Sequence, residues 1–331
     1  MIRQPAGSPA ALTLDVSIDT FTIAGINVHV YGLAQLPQSD KMDNSIEVSA
    51  LHLLNPRLCD HTYMAGIAKT VLADFYQKQA QGVMVGRGLI CVAFDQRNHG
   101  EREVKNLANQ DWRSSNPTHA ADMFSIYHGT SMDLSQLITY LPTYLFPRRH
   151  SGYTLTQHLV AGVSLGGHAA YLSLLHEPRI TAGVVVIGCP DYLTLMAHRA
   201  ARSGIASVTG AAREFPEDLV GVVRGVDPAA LGVKEIVRRG MLEGKKVLTL
   251  SGGADRLVPV ACAEGFLREV GGARERGEWR GEWRDVVCEG VGHECTPEMV
   301  RELSSAVNRW VEEAGEGNGE GKGGEGVQSV L

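Results

Sequence analysis

Residues 158–175 read HLVAGVSLGGHAAYLSLL. The stretch opens as an apolar run, breaks at Gly162-Val163-Ser164-Leu165-Gly166-Gly167, and resumes with helical spacing. A short apolar run ending in a glycine turn reads as a buried strand, and the periodicity that follows reads as a helix. Glycine, any residue, serine, any residue, glycine at such a junction is the pattern of a nucleophile elbow. A serine on so sharp a turn must hold a strained backbone. Side chains at the flanking positions would clash with neighbouring backbone, so those positions are glycine. The hydroxyl then projects above the sheet, where the helix N-terminus favours developing negative charge. The N–H of Leu165 is positioned as one oxyanion donor.

The same alternation extends outward. SIDTFTI and INVHVYGL, separated by Ala24-Gly25, read as an antiparallel hairpin. IEVSALHLLNP reads as a buried strand ending at Pro56, a helix is expected over about 62–80, and GLICVAF is a continuous apolar strand. A polar loop precedes a helix expected over roughly 129–141. After the elbow helix come the strand TAGVVVIGC, a segment of short helices over about 191–232, the strands KKVLTLSGG and WRDVVCEGV, and an amphipathic helix PEMVRELSSAVNRWVEEA. A hairpin followed by strand–helix alternation predicts a mostly parallel central sheet with helices on both faces. Residues 191–232 interrupt the rhythm without alternating apolar residues. They are expected to form a small helical cap, with strands disfavoured. The division expected is an N-terminal extension over 1–14, an α/β domain over 15–314 and a Gly/Glu-rich disordered tail over 315–331.

Bulk composition excludes several classes. With 331 residues, 44% hydrophobic and 21% charged, the chain can bury a large core. A net charge of −6 favours neither nucleic acid nor an anionic membrane. No run is long enough to span a bilayer, and the first residues lack the apolar core of a signal peptide. None of the six cysteines (59, 91, 189, 262, 288 and 295) forms a C-x-x-C pair, which argues against a zinc knuckle. A reduced, cytoplasmic chain is the simplest reading.

One serine needs a base and an orienting acid. Asp255 follows KKVLTLSGG in "GGADRLVP", and His293 follows WRDVVCEG in "GVGHE". Each falls just past a strand, in the chain order serine, acid, histidine. Asp191, after TAGVVVIGCP, is the rival acid.

With these residues in hand, the sequence resembles the α/β-hydrolase superfamily over about residues 15–314. The resemblance rests on GVSLGG, GGADRLVP, GVGHE and AFDQRNHGER, the last similar to the D-x-R-G-x-G turn of many esterase-like members, with Asn98 where glycine is common. Asp95 and Arg97 are expected to tie this loop down, and His99 to be a loop residue. One departure is the turn after IEVSALHLL. Many members have His-Gly there, whereas this chain reads Leu54-Asn55-Pro56-Arg57-Leu58. Pro56 has no N–H to give, so the second oxyanion donor falls to Arg57 or Leu58. The Arg57 side chain reads first as solvent-facing, and second as projecting into the pocket toward a carboxylate.

The resemblance implies a serine hydrolase cleaving a carboxylic ester, thioester or related acyl bond of a small molecule, with no metal or organic cofactor needed. The roles it implies are Ser164 as nucleophile, His293 as base and Asp255 as acid, with Leu165 and Arg57 as oxyanion donors. The same fold also serves carbon–carbon hydrolases, acyltransferases, polyketide-tailoring enzymes and non-catalytic binders. Pocket-lining residues are expected from the cap and from the stretch between Trp112 and Tyr127. The candidates are Trp112, Met123, Phe124, Tyr127, Tyr192, Leu195 and Met196.

Overall fold

The computed structural model describes residues 15–38, 45–147, 152–205, 211–212 and 214–317. Eight strands form one sheet: β1 (Ile18–Ile23), β2 (Ile26–Tyr31), β3 (Ile46–Leu54), β4 (Arg87–Phe94), β5 (Tyr153–Val163), β6 (Ile180–Val186), β9 (Lys246–Gly252) and β10 (Glu282–Cys288). Their order is β1-β2-β4-β3-β5-β6-β9-β10. β2 runs antiparallel to β1 and β4, and every other pair is parallel. Ala24 (φ 52°) and Gly25 (φ 80°) make the two-residue turn of the β1–β2 hairpin, whose twist requires positive φ at both positions. β3 and β4 are central and almost wholly buried, so they read as continuous apolar runs. β1, at an edge, shows alternating exposure.

Helices cover both faces. α1 (Ala65–Ala80) and α9 (Pro297–Gly317) pack with one face, around Val71, Phe75, Leu303 and Trp310. α2 (His119–Leu145) and α3 (Leu165–His176) pack with the other, around Phe124, Leu137, Ala170 and Val185. α7 (Val233–Arg238) and α8 (Glu264–Glu275) close a third cluster with Trp279. All six cysteines are free thiols. No helix among the described residues is long and apolar enough to cross a membrane.

Three boundaries differ from the sequence expectation. α1 is preceded by a 3-10 turn over His61–Met64, started by Asp60, whose carboxylate accepts from Thr62 N. α2 begins at His119, not near residue 129. Asn116 and Asp122 organise its entry: Asn116 Oδ1 accepts from Thr118 N, and Asp122 accepts from Thr118 Oγ1 and Asn116 Nδ2. Between residues 191 and 232 lie α4 (Tyr192–Arg202), α5 (Glu217–Val226) and α6 (Pro228–Leu231). A two-residue strand pair, β7 (Ala211–Ala212) with β8 (Phe215–Pro216), joins them. Strands were not expected there, and a pair so short leaves no alternating pattern to read. Helix α9 runs through Gly317, past the expected end of the domain at 314. Residues 1–14 and 318–331, expected as an extension and a disordered tail, lie outside the described residues.

Candidate active site

β5 delivers the chain to Ser164 and α3 takes it away. Ser164 sits at φ 56°, ψ −110°, a sparsely populated conformation for any residue with a Cβ. Its N–H donates to the Val186 carbonyl at 2.9 Å, which pins the turn to β6. A Cβ on Gly162 would overlap the Gly166 carbonyl, and one on Gly166 would overlap the Leu54 carbonyl at the end of β3. The two glycines therefore allow β3, β5 and α3 to converge under the serine. Leu165 opens α3, so its N–H has no acceptor within the helix.

Ser164, His293 and Asp255 meet. Ser164 Oγ lies 2.8 Å from His293 Nε2, and His293 Nδ1 lies 2.7 Å from Asp255 Oδ2. The Asp255 side chain is fully buried and His293 is 11% exposed. Asp255 Oδ1 accepts from Leu257 N at 2.8 Å and Val258 N at 2.9 Å. These bonds hold the carboxylate so that its other oxygen accepts from Nδ1–H. That leaves Nε2 with its lone pair toward the serine hydroxyl. Asp191 is occupied elsewhere: it caps α4, accepting from Thr194 N at 2.9 Å and Thr194 Oγ1 at 2.8 Å.

The loop after β4 is heavily tied. Asp95 accepts from His61 N at 2.6 Å and Glu101 N at 2.8 Å. Arg97 makes a two-pronged pair with Asp133 of α2, at 3.0 and 2.8 Å, and Arg102 joins the same carboxylate at 2.8 Å. Asn98 has φ 59°, a left-handed conformation that asparagine tolerates. Its side chain accepts from Val104 N and Lys105 N. His99 is buried, with Nδ1 on the Arg97 carbonyl at 3.0 Å.

The turn after β3 is fixed by Asn55. Its Nδ2 donates to the Cys59 carbonyl at 2.6 Å, while Gln96 Nε2 donates to the Asn55 carbonyl. Leu58 completes the turn at φ 64°. The Arg57 guanidinium donates to the Asn109 carbonyl at 3.2 Å and lines a cavity of about 170 Å³.

Trp112 also lines this cavity, edge-on to His119. Tyr127, Tyr192 and Met196, expected in the pocket, are instead in the core, as are Met123, Phe124 and Leu195. Tyr192 donates to the Ala120 carbonyl at 2.5 Å, and its ring packs against Phe124 and Phe215. Tyr127 packs against Phe124 and His168. Tyr192, Leu195 and Met196 lie on the face of α4 that docks on the core, while Arg199, one turn beyond Met196 on that same face, and Arg202 reach the cavity at the C-terminal end of the helix. Arg199 Nη1 lies 2.8 Å from Met123 Sδ. Burial pulls the Arg199 guanidinium down to about 10, helped by Arg57. Burial likewise takes His119 down to about 3, with Arg199 and Arg57 adding to it, so this imidazole is neutral. Arg199, His119 and Arg256 were not singled out from sequence. An arginine on an amphipathic helix looks the same whether it faces water or a cavity.

No family model and no curated protein matches the chain. Solved structures do. TT1662 of Thermus thermophilus superposes with a TM-score of 0.60 at 19% identity, over 90% of this chain and 99% of its own. An acylaminoacyl peptidase of Pyrococcus horikoshii superposes with a TM-score of 0.51 at 12% identity, over 96% of this chain and 44% of its own. At these identities the likeness is one of fold. With the strand order, the antiparallel β2 and the strand–serine–helix turn, it shows that the chain has the α/β-hydrolase fold.

Proposed function

We propose that the chain is a serine hydrolase that cleaves a carboxylic ester, thioester or related acyl bond of a small molecule. The observation that carries this reading is the hydrogen-bonded series Ser164–His293–Asp255 at 2.8 and 2.7 Å, with the serine on a strained turn. His293 Nε2 takes the hydroxyl proton as Ser164 Oγ attacks the acyl carbon. Asp255 holds the productive tautomer and stabilises the imidazolium. The N–H groups of Leu165 and Arg57 serve the oxyanion, the first because it opens a helix, the second because its turn is fixed by Asn55. The imidazolium then protonates the leaving group. Water, activated by the same histidine, hydrolyses the acyl-enzyme. Helices α4 to α6 form the proposed cap, with α4 contributing to the cavity wall.

Turnover of a panel of p-nitrophenyl esters and acyl thioesters of graded length tests this reading. Ser164→Ala should lower kcat by a factor on the order of 10³ or more for every substrate the parent cleaves. A variant that keeps the parent's turnover would remove Ser164 from the chemistry.

A further inference from the structure

The cavity beside the candidate active site is unbalanced in charge. Arg57, Arg113, Arg199, Arg202 and Arg256 all line it, against one carboxylate, Asp111. Asp111 accepts from Ser114 N at 2.9 Å at the start of a 3-10 turn, and its charge offsets part of that of Arg57 without a direct ion pair. Among the described residues, none of the five arginines makes an ion pair. The contacts they make are to neutral groups. Arg57 reaches the Asn109 carbonyl, Arg113 the Arg202 carbonyl, and Arg199 the Met123 thioether and, at 3.4 Å, the Leu257 carbonyl. Arg113, Arg202 and Arg256 are exposed, whereas Arg57 and Arg199 are partly withdrawn from water. Holding a cation there without a direct anionic partner is costly, and at Arg199 burial, with Arg57 beside it, pulls the guanidinium pKa down.

The position of this cavity matters as much as its charge. Arg256 and Leu257 directly follow Asp255, and Leu257 N holds that carboxylate. Arg57 belongs to the turn after β3, which also carries the proposed oxyanion donor. Two of the segments that line the cavity thus also carry parts of the candidate active site.

We propose that this cavity recognises an oxyanion on the substrate, carboxylate or phosphoryl, so that the acyl compound cleaved at Ser164 is anionic. Guanidinium forks match both groups in a planar, two-pronged geometry. The inference rests on the hydrolase reading, and two separate measurements keep them apart. In the first, kcat/KM is compared for p-nitrophenyl hydrogen glutarate and its neutral isostere, p-nitrophenyl 5-methylhexanoate, with p-nitrophenyl 4-phosphonobutyrate as the phosphoryl arm. At least one anionic ester is expected to exceed the neutral one by about tenfold or more, with the advantage shrinking as salt is raised. Arg199→Met should reduce the anionic-to-neutral ratio by about tenfold, Arg199→Lys should restore part of it, and the exposed-site variant Arg256→Gln should lower it by a factor of about three. Equal rates on charged and neutral esters, or a ratio untouched by Arg199→Met, would overturn the proposal. In the second, glutarate and inorganic phosphate are titrated calorimetrically into Ser164→Ala, with and without Arg199→Met. Saturable binding that Arg199→Met abolishes supports the cavity even if no ester is turned over. No saturation by either anion up to about 10 mM would count against it.

Discussion

At the residue scale, the arrangement turns on how two aspartates are used. Asp255 spends one oxygen on Leu257 N and Val258 N and offers the other to His293. Asp191 spends both oxygens on Thr194. Asp255→Asn should therefore lower kcat by a factor on the order of 10⁴, because the amide favours the wrong imidazole tautomer. Asp191→Asn should leave turnover nearly intact and lose no more than about 1 kcal/mol as a helix cap. Steady-state kinetics with urea unfolding separates the two, and the reverse ranking would pass the acid's role to Asp191. That Ser164, Asp255 and His293 would be brought together was legible in the sequence, since each lies just past a strand end. Asn98 was legible as a glycine substitute, and its φ of 59° supplies the reason. The side of α4 that meets the cavity was not legible. In YLTLMAHRAAR, Arg199 falls on the same face as Tyr192, Leu195 and Met196, so the apolar pattern does not reveal that the end of this face meets a cavity.

At the element scale, the elbow depends on three segments crossing at van der Waals distance. Gly166 faces the Leu54 and Asn55 carbonyls with no room for a methyl group. Gly166→Ala should destabilise by about 1–3 kcal/mol and displace the turn, lowering turnover as well. A unchanged urea midpoint would mean that β3 and α3 can part without cost. The start of α2 was not legible in the sequence. His119, Ala120, Met123, Phe124 and Tyr127 are buried along one helical side, yet Met123, Phe124 and Tyr127, close to a polar loop, read from the sequence as pocket candidates. Their helical identity is set by the Asn116, Thr118 and Asp122 side chains, a local network with no fixed sequence signature.

At the scale of the whole molecule, the sheet and its helical layers are joined by a few polar ties. Glu177, between α3 and β6, accepts from Arg179 and from Ser135 of α2 at 2.5 Å. Burial works against its charge, but Arg179 and Ser135 prevail and hold the carboxyl down to about 2. A carboxyl depressed in the folded state adds stability above its unfolded pKa and loses it as pH falls. The stability gap between parent and Glu177→Gln should be full near neutrality and close between about pH 4.5 and pH 2. Arg179 is partly exposed, so screening keeps that gap modest. Thermal unfolding across this range checks it, and a gap independent of pH would place the tie's worth in packing. The sheet order was readable because parallel buried strands alternate with helices, whereas the charge of the cavity emerges only when Arg57, Arg199 and Arg256, distant in sequence, are brought to one wall. In the proposed function this whole frame serves to activate Ser164. Reaction of the folded protein with a fluorophosphonate, followed by peptide mass spectrometry, tests it most directly. The predicted result is one adduct per chain on Ser164, absent from Ser164→Ala and strongly slowed in His293→Ala. A folded parent that takes up no adduct on Ser164 would contradict it.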